Sequence, residues 1–135
     1  MNSKLLVVDG KFKKSLIAQK SYDFALQVIR ILKLLDKDSA NLILIRQLIM
    51  SVTSIGANIE EALGSNSKKE FIHSMNIAKK EARESLYWLR LLRDLNFSNK
   101  EKFEELLSEA EEIVKILTKI VKTSGNNQGL RTNNL

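Results

Sequence analysis

Apolar residues recur through the middle of the chain with helical spacing. Leu42, Ile45, Leu48, Ile49, Val52, Ile55, Ile59 and Leu63 cover a broad arc at about 100° per residue. Beside that arc, Gln47, Ser51, Ser54, Asn58 and Glu61 form a second stripe of small and polar side chains. Gln47 through Ile59 carry no charge, and Arg46, Thr53 and Glu60 are nearly the only residues left to face water. A helix dressed this way needs neighbours on most of its sides. The pattern predicts a central helix of an oligomer.

Three further helices follow from the same periodicity. Ile17, Phe24, Val28, Ile31 and Leu35 give a seam for a first helix from about Ser15 to Asp36. Lys37-Asp38-Ser39 is the turn, with Asp38 or Ser39 as N-cap of the second helix, which ends near Gly64. Ser67-Lys68-Lys69-Glu70 is a capping box that opens a third helix with Phe71, Met75, Ala78, Ala82, Leu89 and Leu92 on its seam, and Asn96 is its C-terminal cap. Ser98-Asn99-Lys100-Glu101 is a second capping box, opening a fourth helix through Phe103, Leu106, Ala110, Ile113, Leu117 and Ile120. Short loops between long helices imply antiparallel neighbours, hence an all-α, up-down-up-down four-helix bundle over residues 14–123. Residues 1–13 form an N-terminal arm, in which Asp9-Gly10 marks a turn, a short hairpin or an ordered segment. Residues 124–135 have the composition of a disordered tail.

Composition sharpens this. The chain has 135 residues, 44% of them hydrophobic, with no proline and five glycines, which leaves helix interiors almost unbroken. The absence of cysteine excludes disulfides and thiolate metal sites and suits a reducing cytoplasm. Leu5–Val8 is too short for a signal-peptide core, and Gln47–Ile59 is too short and polar for a span of roughly 20 residues. A soluble cytoplasmic protein with no membrane partner is the expectation. The net charge of +6 is unevenly placed, because Lys100–Lys122 hold six glutamates against five lysines. The positive excess therefore lies elsewhere and favours anionic partners, unless it serves solubility alone.

Glu70-Phe71-Ile72-His73 spells Glu-x-x-His, a motif of di-iron bundles, but such a site needs it twice and His73 is the only histidine. A symmetric site built from His73 of several subunits stays open; within one chain no metal or cofactor is expected. No serine has an identifiable base, so no catalytic residue and no enzyme activity are expected. On the third helix Lys69, His73, Asn76, Lys80, Arg83, Tyr87 and Arg90 recur at steps of four and three, lining the face opposite the Phe71–Leu89 seam. Such a row suits a phosphate backbone, with an aromatic for a base to stack on; the alternative is a solvated face partly balanced by Glu84 and Asp94. Ile77 and Trp88 sit on one flank with Glu81, either as anchors of a subunit contact or as the edge of the core. Ser51, Ser54 and Asn58 complete the candidate subunit interface, and Asn58 and Glu61 need hydrogen-bond partners from another helix or subunit.

Three segments carry a family resemblance. Lys20-Ser21-Tyr22-Asp23-Phe24-Ala25, Ser54-Ile55-Gly56-Ala57-Asn58-Ile59-Glu60-Glu61-Ala62 and Lys79-Lys80-Glu81-Ala82-Arg83-Glu84-Ser85-Leu86-Tyr87-Trp88-Leu89 resemble the four helix bundle protein family. Its members are encoded in intervening sequences of large-subunit ribosomal RNA genes, and accessory proteins of diversity-generating retroelements resemble the same fold. The likeness spans roughly residues 15 to 122. It implies an antiparallel bundle assembling as a homopentameric barrel, with a role in binding RNA or DNA and no agreed catalytic residues. Many relatives have a glycine near Ala62 and an arginine near Ser65; lacking the arginine removes one phosphate contact. The expected function is therefore a non-enzymatic homo-oligomer, pentameric, binding structured RNA or other nucleic acid through Lys69, His73, Lys80, Arg83, Tyr87 and Arg90. The alternative is a structural adaptor that docks a protein partner such as a reverse transcriptase, without touching nucleic acid.

Overall fold

The structure, a computed structural model, describes residues 9–133, with side-chain surroundings from 16 to 126. Four helices follow in order: α1 (Asp9–Leu32), α2 (Ser39–Leu63), α3 (Lys68–Leu95) and α4 (Lys100–Asn133). Each packs against its two neighbours, and α4 returns to α1 to close the bundle, the all-α architecture its periodicity predicts. The seams meet as expected: Phe24 and Val28 of α1, Leu48, Val52 and Ile55 of α2, Met75, Ala78 and Leu89 of α3, and Phe103, Ala110 and Ile113 of α4 are fully buried.

Small residues set how closely α1 and α2 cross. Gly56 faces Ser21 of α1, and a Cβ at Gly56 would lie 3.5 Å from the Ser21 hydroxyl. Ser21 is itself buried and donates to its own helix at Ala18 O (2.9 Å), as buried Ser85 does to Glu81 O (2.9 Å). Among the described residues no buried side-chain nitrogen or oxygen lacks a partner.

Capping fixes the helix ends. The Asp38 carboxylate accepts from Asn41 N (2.8 Å) and the Ser67 hydroxyl from Glu70 N (3.1 Å), both at extended N-cap residues. The Glu70 carboxylate reaches back to Asn66 N rather than Ser67 N (3.2 Å). A reciprocal pair of hydrogen bonds joins two helix ends that are distant in sequence. The amides of Asn41 and Asn96 donate to each other's oxygens at 2.9 and 3.3 Å, while Asn96 Nδ2 also caps Leu92 O (2.9 Å). This pair pins the start of α2 to the end of α3.

Several boundaries differ from those expected. The first helix starts at Asp9 and stops at Leu32 instead of Asp36, because the Lys37 ammonium curls back onto Leu32 O (2.9 Å) and Leu35 O (2.7 Å) and caps the freed carbonyls. The second capping box does not form. Asn99, not Ser98, precedes α4, in a left-handed conformation (φ 67°) that asparagine tolerates, and Ser98 makes no side-chain hydrogen bond among the described residues. The fourth helix continues through residues 124–133, which were expected to belong to a disordered tail. Nothing in that stretch breaks the hydrogen-bond ladder, since proline is absent, and a Cβ on Gly125 would meet no neighbour within 4 Å. Residues 1–8 of the expected N-terminal arm, and residues 134–135, lie outside the described residues.

Candidate nucleic-acid interface

Helix α3 buries one face and leaves the opposite one bare. Phe71, Met75, Ala78, Ala82, Ser85, Leu89 and Leu92 point inward, so residues half a turn away must point outward. Lys69, His73, Lys80, Arg83, Tyr87 and Arg90 are all exposed, and Asn76 is half-buried along the same line. These cations are not spent, unlike two others in the molecule. Lys20 bridges α1 to Glu109 (2.8 Å) and Glu112 (3.2 Å) of α4, and Arg93 binds Asp94 (2.8 Å) and Glu104 (3.3 Å). Lys69, Lys80, Arg83 and Arg90 form no salt bridge among the described residues.

Titration follows the same division. Partial burial works against the charged form of Lys20, but its bonds to Glu109 and Glu112 outweigh this and raise its pKa. The bond to Asp94, with Glu104 adding its charge, raises Arg93, and Arg93 in turn holds Asp94 below the ordinary aspartate value; Lys100 and Arg90 add to that depression. Arg93 is thereby turned to α4 and away from the exposed row.

The aromatic on the row is held from one side. The Tyr87 and Trp88 rings meet nearly edge to face, with centroids 5.0 Å apart and planes at 72°. Trp88 packs half-buried against the core, and its Nε1 donates to Glu84 (3.1 Å). Both readings of Trp88 keep their footing: it edges the core and still shows surface. Since Arg93 reaches α4 from one flank of α3, the flank with Ile77, Glu81 and Trp88 faces the α2 side. Glu81 is pushed up by partial burial and by the neighbouring Glu84 charge.

On α2 the polar stripe divides. Ser51 is enclosed within this chain, its hydroxyl donating to Gln47 O and Leu48 O (both 3.2 Å), so its side chain is not free to meet a subunit. Ser54 and Asn58 remain half-buried, and Asn58 Nδ2 satisfies itself on Ser54 O (2.8 Å). The outward face is less polar than expected, because Ile43 (60% exposed) and Met50 (64%) stand on it with Arg46, Thr53 and Glu60. By length and composition α2 is apolar enough to cross a bilayer, and within this chain only a third of its most apolar window is buried. An apolar groove of 310 Å³ also runs between α1 and α2, lined by Ala18, Tyr22, Ala25, Gly56 and Ala57 among others.

His73 and Glu70 border a shallow polar depression with Glu61 and the Gly64–Ser67 loop. Among the described residues no three metal-ligating side chains converge, there or elsewhere. The sequence pattern missed two features. Asn41 and Asn96 are 55 residues apart and carry no local sign of pairing. Ile43 and Met50 were legible, as apolar residues lying off the main arc of α2.

Comparison with known proteins places the fold and the chain. A crystal structure of a protein of unknown function from the S23 ribosomal protein family of Bacteroides thetaiotaomicron matches it with a TM-score of 0.74 and 37% identity, over 82% of this chain and 98% of that one. No curated protein matches it. The family model described as 23S rRNA-intervening sequence protein matches residues 13–119, nearly the whole four-helix core built above, and the chain belongs to that family.

Proposed function

We propose that this chain is a non-enzymatic cytoplasmic protein that assembles into a closed homo-oligomer, a pentamer, and binds RNA or DNA weakly through the summed outer faces of α3. One observation carries the reading: Lys80, Arg83 and Arg90 stand exposed and unbridged along one line of a rigid helix. The family description, which names an intervening sequence of 23S rRNA, directs the reading to RNA. Assembly is supported by α2, whose outward face carries the exposed apolar side chains Ile43 and Met50. A ring would multiply a modest cationic face several-fold, which raises affinity without any new contact.

The test is binding of a ribosomal RNA hairpin to the full chain across a salt series, with the solution mass measured alongside. The affinity should fall steeply with salt. Replacing Lys80, Arg83 and Arg90 with glutamine together should cost roughly a hundredfold or more at 0.1 M salt, about tenfold per lost phosphate contact. Unchanged retention in that triple variant removes the face from consideration. Met50→Glu, at an exposed site, should release folded monomers; a wild-type mass of 15.4 kDa at micromolar concentration would sink the oligomer.

A second reading, docking of a protein partner, is favoured by the α3–α4 connection. Leu95 and Phe97 (92% exposed) present bare apolar surface there. A stable protein partner lost on Phe97→Ala, with no nucleic acid retained at low salt, would support it over the first.

A further inference from the structure

The α3 row contains one exposed residue whose chemistry is not ionic. Tyr87 is 53% exposed and lies between Arg83, one turn before it, and Arg90, one turn after. With Lys80 these cations span about 15 Å of helix, at 1.5 Å per residue. Nothing in the fold requires an aromatic there. Its hydroxyl has no hydrogen-bond partner among the described residues, and the core seam passes through Leu89 on the far side of the helix.

What the fold does supply is a support. Trp88 meets Tyr87 at 72°, and a perpendicular ring can cover at most one face of its neighbour. Trp88 is in turn fixed by the core edge and by its bond to Glu84 (3.1 Å). Tyr87 is thus steadied at little entropic cost, with ring surface open in the middle of a line of guanidinium and ammonium groups. An uninterrupted duplex offers that line its phosphates but keeps its base faces stacked inside. An unpaired nucleotide offers both, and stacking on an aromatic is tolerant of base identity.

We propose that Tyr87 is a stacking platform for an unpaired base, so that the α3 face takes single-stranded or looped nucleic acid in preference to continuous duplex. The inference rests on the nucleic-acid reading above and specifies its ligand.

The experiment uses the full chain at low salt with two probes, a single-stranded RNA and a hairpin-free RNA duplex carrying the same number of phosphates. Trp88 is the only tryptophan and touches Tyr87, so its emission reports what reaches that ring. The single strand should bind more tightly and shift Trp88 emission, while the duplex should leave the emission nearly unchanged. Tyr87→Leu, which keeps apolar bulk, should weaken the single strand by about tenfold and the duplex by less than about twofold; Tyr87→Phe should retain wild-type binding. Equal affinity for the two probes, or Tyr87→Leu leaving the single strand unaffected, would overturn the platform while the charged face stands. Binding of neither probe at low salt would overturn the nucleic-acid reading and the platform with it.

Discussion

The outer faces of α3 and α4 carry comparable numbers of lysines and arginines in opposite company: six glutamates accompany the five lysines of Lys100–Lys122, whereas only four acids accompany the seven lysines and arginines of α3. On α4, glutamates crowd the first half and Lys115, Lys119 and Lys122 the second, an order that complements the helix dipole. Its acids are also drawn into the bundle, where Lys20 binds Glu109 and Glu112 and Arg93 binds Glu104. Acids on α4 therefore close seams and offset its lysines. On α3, Lys69, Lys80, Arg83 and Arg90 close nothing and outnumber the acids beside them. A net charge of +6 becomes a binding surface only where cations exceed their acidic neighbours along one face.

The sharpest way to break this contrast is to neutralise each face in turn. Lys115, Lys119 and Lys122 changed to glutamine remove as much formal charge as the α3 triple. Polyanion binding should fall by less than about threefold for the α4 triple, against roughly a hundredfold or more for the α3 triple at 0.1 M salt. Filter binding of both variants across a salt series checks it. Equal losses would mean that the protein attracts anions as a diffuse cationic body, with no privileged helix.

That contrast was half legible in the sequence. Amphipathic seams are a one-dimensional signal, so Phe71, Met75 and Leu89 declared the buried face of α3, and with it the exposed one. Local capping was legible too: Asp38, Ser67 and Asn96 all cap the helices they border. The misreadings arose where a three-dimensional partner decides. Lys37 captures two carbonyls and ends α1 early, and Asn99 adopts a left-handed turn that displaces Ser98 from the cap. Which cations are spent is likewise decided across helices. Lys20 is 89 residues from Glu109, and no spacing rule joins them. Ser51 shows the same limit, since its place on a polar stripe did not reveal that this chain already encloses it.

A smaller effect tests the other side of the contrast, that ionic groups at the α1–α4 seam serve stability. Lys20→Met should leave Glu109 and Glu112 facing each other without their cation, and cost about 0.5–1 kcal/mol in urea unfolding at neutral pH. The pH dependence has a definite sign. The folded pKa of Lys20 lies above its unfolded value, so its contribution is complete below the unfolded lysine pKa and is lost as pH rises through the folded one. Wild type and Lys20→Met should therefore converge in strongly alkaline solution. A constant gap up to that range would show that the charge on Lys20 is not what stabilises the seam.

The smallest effect concerns an acid in the α3 row's own neighbourhood. Glu84 lies one turn from Lys80 and one turn from Trp88, to which it is bonded, so it both steadies the aromatic pair and repels an incoming phosphate. Glutamine keeps an oxygen that can accept from Trp88 Nε1 and discards the charge. At separations of about 8 Å in water, screened by salt, one charge is worth about 0.5 kcal/mol or less. Glu84→Gln should therefore tighten RNA binding by about twofold, with Trp88 emission and unfolding midpoint unchanged. Glu84→Ala removes charge and acceptor together, and the steadying of Trp88 goes with them. If glutamine weakens binding as alanine does, the carboxylate itself is needed at the α3 face, and the contrast between a glutamate-rich α4 and a cation-rich α3 has to be redrawn around it.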